Sequence, residues 1–155
     1  MTTARDLRVH ARTLGPAENE ALLTEHHVGS IAIAFHDRVT IALANYVYAD
    51  GSIYGRLQEG PELAAVRHHQ WVAFQVSEID GTYDWRTVTA HGSIHILTDG
   101  DSVTEANEFR NALGLIRNVS PAVLTPLDPM PQRVHLFRIF VDALVGHEAR
   151  TLGTT

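Results

Sequence analysis

The side chains through which this chain could do chemistry are ten histidines, four tyrosines and twelve basic residues, all of them arginine; lysine and cysteine are absent. These absences remove whole mechanisms. Without lysine there is no internal Schiff base to a pyridoxal cofactor and no phosphate-loop ammonium. Without cysteine there is no thiol nucleophile, thiolate zinc site or disulfide. No GxGxxG turn and no GxSxG elbow occurs, so neither a dinucleotide fold nor a serine hydrolase has a motif behind it. Histidine offers metal ligation: His91 and His95 share one strand face, and His68-His69 are candidates to approach them. Their spacing matches no ligand pattern and there is no HExxH pair, so no metal ligands are assigned and solvated or capping histidines are the simpler reading. What remains is a non-covalent binding site.

The elements that must position such a site can be read along the chain. Residues 1–14 read as a ragged segment. A helix is expected from Pro16 to His27, with Gly15 as cap, Pro16 at the first position where its missing N–H costs nothing, and Glu18 and Glu20 at the positive end of the helix dipole. Val28 to Phe35 reads as a buried strand, and Val39 to Tyr48 as a second with Val39, Ile41, Leu43 and Val47 on one face, interrupted by Asn45. Asp50-Gly51 signals a hairpin into a short strand, Ser52 to Leu57. A second helix is expected over Pro61 to His69, then a hairpin of Trp71 to Ile79 and Asp84 to Leu97 around Asp80-Gly81. Ser102 and Glu105 match a capping box opening a helix to about Asn118. Pro121, Pro126, Pro129 and Pro131 mark a loop, and Val134 to Val145 reads as a last strand ended by Gly146.

Six strands joined mostly by hairpins, with helices inserted rather than alternating, point to a mainly β fold, a six-stranded antiparallel barrel, in a single domain spanning 1–155. The size and the 45% hydrophobic content suit one buried core. A net charge of -6 with no basic cluster argues against a nucleic-acid partner. The apolar stretches are too short to span a bilayer and the start lacks a signal-peptide core, so no membrane partner and a cytoplasmic location are expected.

Several blocks carry a family resemblance: Arg12 to Glu18, Leu22 to Gly29, Asn45 to Tyr54, Val72 to Asp80, Trp85 to Val88 followed by Gly92, and Val141 to Gly146. Their order and spacing resemble the pyridoxamine 5'-phosphate oxidase-like FMN-binding split barrels, nearest to the nitroimidazole-resistance and flavin-nucleotide-binding subgroup. The resemblance implies a homodimer with two FMN sites at the subunit interface. It also implies an oxidoreductase, such as one reducing a small nitro or quinone compound, in which the flavin does the hard chemistry and the protein supplies orientation and exclusion of water. By the family pattern the backbone of Leu43, Asn45 and Tyr46 lies along the flavin ring. Tyr54 and Arg56 approach the ribityl phosphate, and Trp85, Arg86 and Thr87 border the site.

The chain departs from that pattern at the phosphate. Gly55-Arg56 stands where family members commonly carry His-Thr, and Gly60-Pro61-Glu62 stands where Gly-Arg-Lys is usual. Arg56 and Arg67 are the cations that could compensate; Arg56 pairing with Glu59 or Glu62 as an ordinary strand residue is the alternative. The departures leave other readings open: another cofactor such as deazaflavin or haem, the latter needing only a neutral histidine as axial ligand, or a pocket that has lost its cofactor. In the last case the chain binds another small molecule or works through Tyr46, Tyr54 and His91 as donors or general base.

Overall fold

The computed structural model describes residues 7–153, and the elements run, in chain order, β1 (Val9–Thr13), α1 (Pro16–Glu25), β2 (Val28–Phe35), β3 (Arg38–Ala49), β4 (Ser52–Leu57), α2 (Pro61–His68), β5 (Trp71–Gly81), β6 (Asp84–Leu97), α3 (Val103–Val119) and β7 (His135–Thr151). All strand pairs are antiparallel. The order β7-β4-β3-β2-β5-β6 closes on itself because β6 also pairs β7, and β1 is added outside the ring along the far end of β7. Closure leaves no open edge within the ring.

Two sequence expectations are corrected here. The ragged segment contains a strand: Val9 to Thr13 pair with Thr151 to His147, making seven strands, six of them in the ring. Nor does β7 stop at Gly146. It runs on to Thr151, and the glycine serves a close crossing: a side chain there would strike Asn19 Oδ1 of α1 and lie 2.9 Å from the Leu14 Cβ. A glycine within a strand pattern marks close backbone approach as readily as an end.

Turn chemistry behaves as its residues require. Asp50 and Gly51 both take positive φ, 48° and 75°, the geometry of a tight hairpin whose twist matches the strands. Ser102 Oγ accepts from the Glu105 N–H at 3.0 Å and opens α3. The β5–β6 turn sits beyond Gly81, with a register shift between Ile79 and Gly81.

Alternation along the strands divides the barrel into two faces. Ile31, Ile33, Ala44, Tyr46, Ile53, Phe74, Val76, Val88, Ala90 and Phe137 fill the interior, joined by Leu22 and Leu23 of α1 and Leu63 and Val66 of α2. A second cluster lies outside the ring, where Tyr54, Leu97 and Leu136 are covered by Ala112 and Ile116 of α3 and by Val123. The apolar face of β3 read from the sequence exists, but Val39, Ile41 and Leu43 look outward, 70%, 70% and 65% exposed. The smaller Ala44 and the long Tyr46 take the inside. Val28, Trp71 and Val145 lie on the same outer face and are also exposed.

Candidate functional site

The site develops where β3 passes from the open outer face to the part covered by α3. Asn45 and Val47 of β3 and Tyr54 and Arg56 of β4 share one face, since Val47 pairs with Tyr54. Over them lie the end of α3 and the proline-bearing loop of residues 120–134. Between these parts is a cavity of about 200 Å³ lined by His27, Asn45, Tyr46, Arg56, Ser120 and Met130, with Ile116, Val119 and Val123 supplying apolar wall. A few polar groups in a mostly apolar concavity are the usual composition of a small-molecule site.

Each polar wall has a structural reason. Tyr46 is buried and its hydroxyl donates to the Leu23 carbonyl at 2.6 Å; burial raises its pKa above the ordinary phenol value, so it stays protonated and is no general base near neutrality. His27 donates from Nδ1 to the Tyr46 carbonyl at 3.2 Å, which orients its ring.

Arg56 is 7% exposed and is held by Asp128, not by Glu59 or Glu62. Its Nη1 donates to Asp128 Oδ2 at 2.7 Å and its Nη2 to Asp128 Oδ1 at 3.1 Å. Nη1 also reaches the carbonyls of Met130 at 3.4 Å and Arg133 at 3.1 Å. The same carboxylate accepts the Leu124 and Met130 N–H groups at 2.8 and 2.9 Å. This forked pair ties the proline loop down onto β4. Nothing in the sequence signals Asp128, 72 residues from its partner.

The remaining candidates are spread over the barrel. Leu43 borders a separate small cavity of about 90 Å³ with Leu57, Gln58, Glu62 and Arg133, and Arg133 Nη2 donates to the Leu43 carbonyl at 3.3 Å. Tyr54 is buried against α3. Arg67 is exposed in the last turn of α2. Arg86 sits among carboxylates, 3.2 Å from Glu148, 3.6 Å from Glu78 and 3.7 Å from Glu18. Trp85 and Thr87 border an open hollow beside Ile79, separated from β3 by β5 and β2. His91 lies on the outer face beside Trp71, Val39 and Asp142, apart from the Tyr46 cavity. A single copy therefore joins Asn45, Tyr46 and Arg56, adds His27 and Met130 to them, and leaves Tyr46, Tyr54 and His91 in three different surroundings. His95 meets Phe140 edge-on, and His68 packs against Phe35 and His36, apart from His91.

Gly55, where the family pattern has histidine, is fixed by packing. An added Cβ would run into the Phe137 ring and stand 2.8 Å from the Asn45 carbonyl oxygen. Gly55→Ala is expected to lower stability by about 1–3 kcal/mol through overpacking, read from urea unfolding of the purified variant.

The sequence profile of the pyridoxamine 5'-phosphate oxidase family matches residues 16–142. The chain belongs to this family. Solved structures share its fold. An FAD-binding protein from Mesorhizobium loti superposes with a TM-score of 0.73 at 23% identity, over 92% of this chain and 99% of its own. An FAD-binding protein from Mycobacterium smegmatis gives 0.61 at 17% identity, over 91% and 100%. A flavocytochrome from Azotobacter vinelandii gives 0.61 at 15% identity, over 93% and 72%. No curated protein matches the chain in sequence. Among the described residues no helix is long and apolar enough to cross a membrane.

The phosphate end of an FMN does not fit the residues present. Where the resemblance puts the phosphate, Arg56 is already neutralised by Asp128, Pro61 has no N–H to give, and Glu62 brings a carboxylate beside Arg133. The ring end meets no such conflict, because the β3 stretch from Leu43 to Asn45 is exposed along one side.

Proposed function

We propose that two copies of this chain meet through the outer barrel face and hold a flavin-type ring against β3, as members of a family whose structural relatives include FAD-binding proteins. The observation that carries the reading is the cavity where His27, Asn45, Tyr46 and Arg56 converge at the margin of the exposed β3 face. The reaction class that accompanies it is reduction of a small nitro or quinone compound. A bound flavin supplies the redox chemistry, and the chain's own residues supply position and exclusion of water. Asn45 is the side chain free to meet a polar ring edge, Met130 and Val119 are the apolar wall, and Arg56 with Asp128 holds the loop that carries Met130.

The homodimer is part of the same proposal. A monomer that leaves Val39, Ile41 and Leu43 side by side and more than three-fifths exposed presents the kind of contiguous apolar patch that marks an interaction surface. Cofactor-free acid–base chemistry receives no support from the separated Tyr46, Tyr54 and His91.

An absorption spectrum of the purified protein, followed by titration with riboflavin and FMN, tests the reading. Flavin bands, or micromolar binding of either flavin with a changed visible spectrum, are expected. A colourless protein that binds neither would overturn it. So would a Soret band, which would direct attention to His27, whose Nδ1 is taken by the Tyr46 carbonyl and whose Nε2 is the remaining ligand atom.

A further inference from the structure

We infer that this site selects its ligand by the ring and not by a terminal phosphate, and that Asp128 and Glu62 set the preference. The inference rests on the proposed binding of a flavin-type ring. It follows from the charges on the page around the far side of β4 and the start of α2. Arg56 is the buried cation there, and its charge is balanced at 2.7 Å by Asp128, which two backbone N–H groups also hold in place. Two carbonyls share Nη1 with that carboxylate, so an incoming phosphate would meet a guanidinium whose charge is already balanced in forked geometry.

The neighbouring groups add no surplus of positive charge. Arg133 is the second cation, and it shares its small cavity with the Glu62 carboxylate and with Gln58. Glu59, just before α2, lies 2.8 Å from His135 and adds another carboxylate on that side. At the start of α2 the first position is Pro61, with no N–H, and the next is Glu62. Arg67 stands at the opposite end of the helix, turned to solvent. A dianion arriving at this corner meets Arg56 already balanced by Asp128, and Arg133 in a cavity shared with Glu62, with Glu59 close by, in a chain of net charge -6. Phosphates are held by a surplus of charge-assisted donors, and that surplus is missing.

The usual preference for the phosphorylated flavin is lost. Two charge-assisted bonds to a phosphate would make FMN bind more than about 100-fold tighter than riboflavin; here the two are expected to bind within about tenfold of each other. The experiment is a pair of titrations of the full chain, with riboflavin and with FMN, followed by quenching of flavin fluorescence. A ratio within tenfold supports the inference. FMN binding more than tenfold tighter overturns it while leaving ring binding intact, and binding of neither flavin overturns the ring-binding reading and this inference together. Glu62→Lys supplies an independent arm. The side chain is half-buried in the first turn of α2, and the substitution replaces the carboxylate in the cavity shared with Arg133 by a second cation, so the FMN-to-riboflavin affinity ratio should rise at least tenfold. An unchanged ratio in a variant that still binds riboflavin would show that the phosphate end does not lie at Glu62 and would overturn the assignment.

Discussion

Asp128→Ala is expected to destabilise the folded chain by about 3–5 kcal/mol, because it leaves the Arg56 guanidinium buried and unpaired. Against a total stability of about 5–15 kcal/mol for a domain, that is a large fraction. Three functions of one carboxylate fail together: the forked pair to Arg56, and the acceptors for the Leu124 and Met130 N–H groups. The loop that carries Met130 over the cavity should loosen, and flavin binding should weaken with it. Denaturant unfolding of wild type and variant measures the effect. The double variant Arg56→Met/Asp128→Leu separates a buried-charge penalty from a generally disturbed loop: it should recover most of the loss, since replacing both members of a buried pair with apolar residues is often near neutral. Failure of the double variant to recover would place the cost in the loop's hydrogen bonds instead.

Acid should reproduce the same loss in the unaltered chain. The hydrogen bond from Arg56 is the chief reason the Asp128 carboxyl is held down to about 2; burial works against it, and the Leu124 and Met130 N–H groups add to the lowering. An aspartate in the unfolded chain titrates near 3.9. Since the folded value is the lower one, the stability contributed by the ionised carboxylate is fully present above about pH 4 and is lost as the pH falls from about 4 towards about 2. The stability gap between wild type and Asp128→Ala should therefore narrow across that window and stay constant above it.

What the sequence made legible was whatever depends on local pattern. Helix starts marked by Pro16, Pro61 and Ser102, the Asp50-Gly51 turn, and the alternation of Val88, Ala90 and Ile94 against Thr87, Thr89 and His91 all fall where propensity and periodicity put them. What escaped depends on where distant segments meet. The strand Val9–Thr13 alternates Val9 and Ala11 with His10 and Arg12, but neither face is buried, and it exists because β7 is long enough to offer it a partner. Period-2 alternation identified the two faces of β3 but could not say which was inside. The pairing of β2 and β3 decides that, by setting Ile31 opposite Ala42 and Ser30 opposite Leu43. Arg56 stood out as a lone cation beside an apolar strand. Its partner did not, because Asp128 lies among prolines in a loop with no periodicity to read.

The outward turn of the β3 face gives the second large prediction. Wild type should sediment at twice its 17.1 kDa chain mass, and Ile41→Glu at the single-chain mass. Ile41 is 70% exposed in one copy, so the carboxylate costs the isolated barrel little. In a two-fold dimer the same substitution occurs twice, and each charge is buried against an apolar partner surface. Several kcal/mol for each copy corresponds to a rise in dimer Kd of more than about 1,000-fold. Riboflavin binding is the second readout, because a ring seated between the copies should be lost with the dimer even though His27, Asn45 and Arg56 are untouched. If Ile41→Glu remains dimeric, the copies meet elsewhere and the exposed face of β3 belongs to another partner. If it becomes monomeric yet binds riboflavin as wild type does, the ring lies wholly within one copy, in the cavity closed by the Arg56–Asp128 loop.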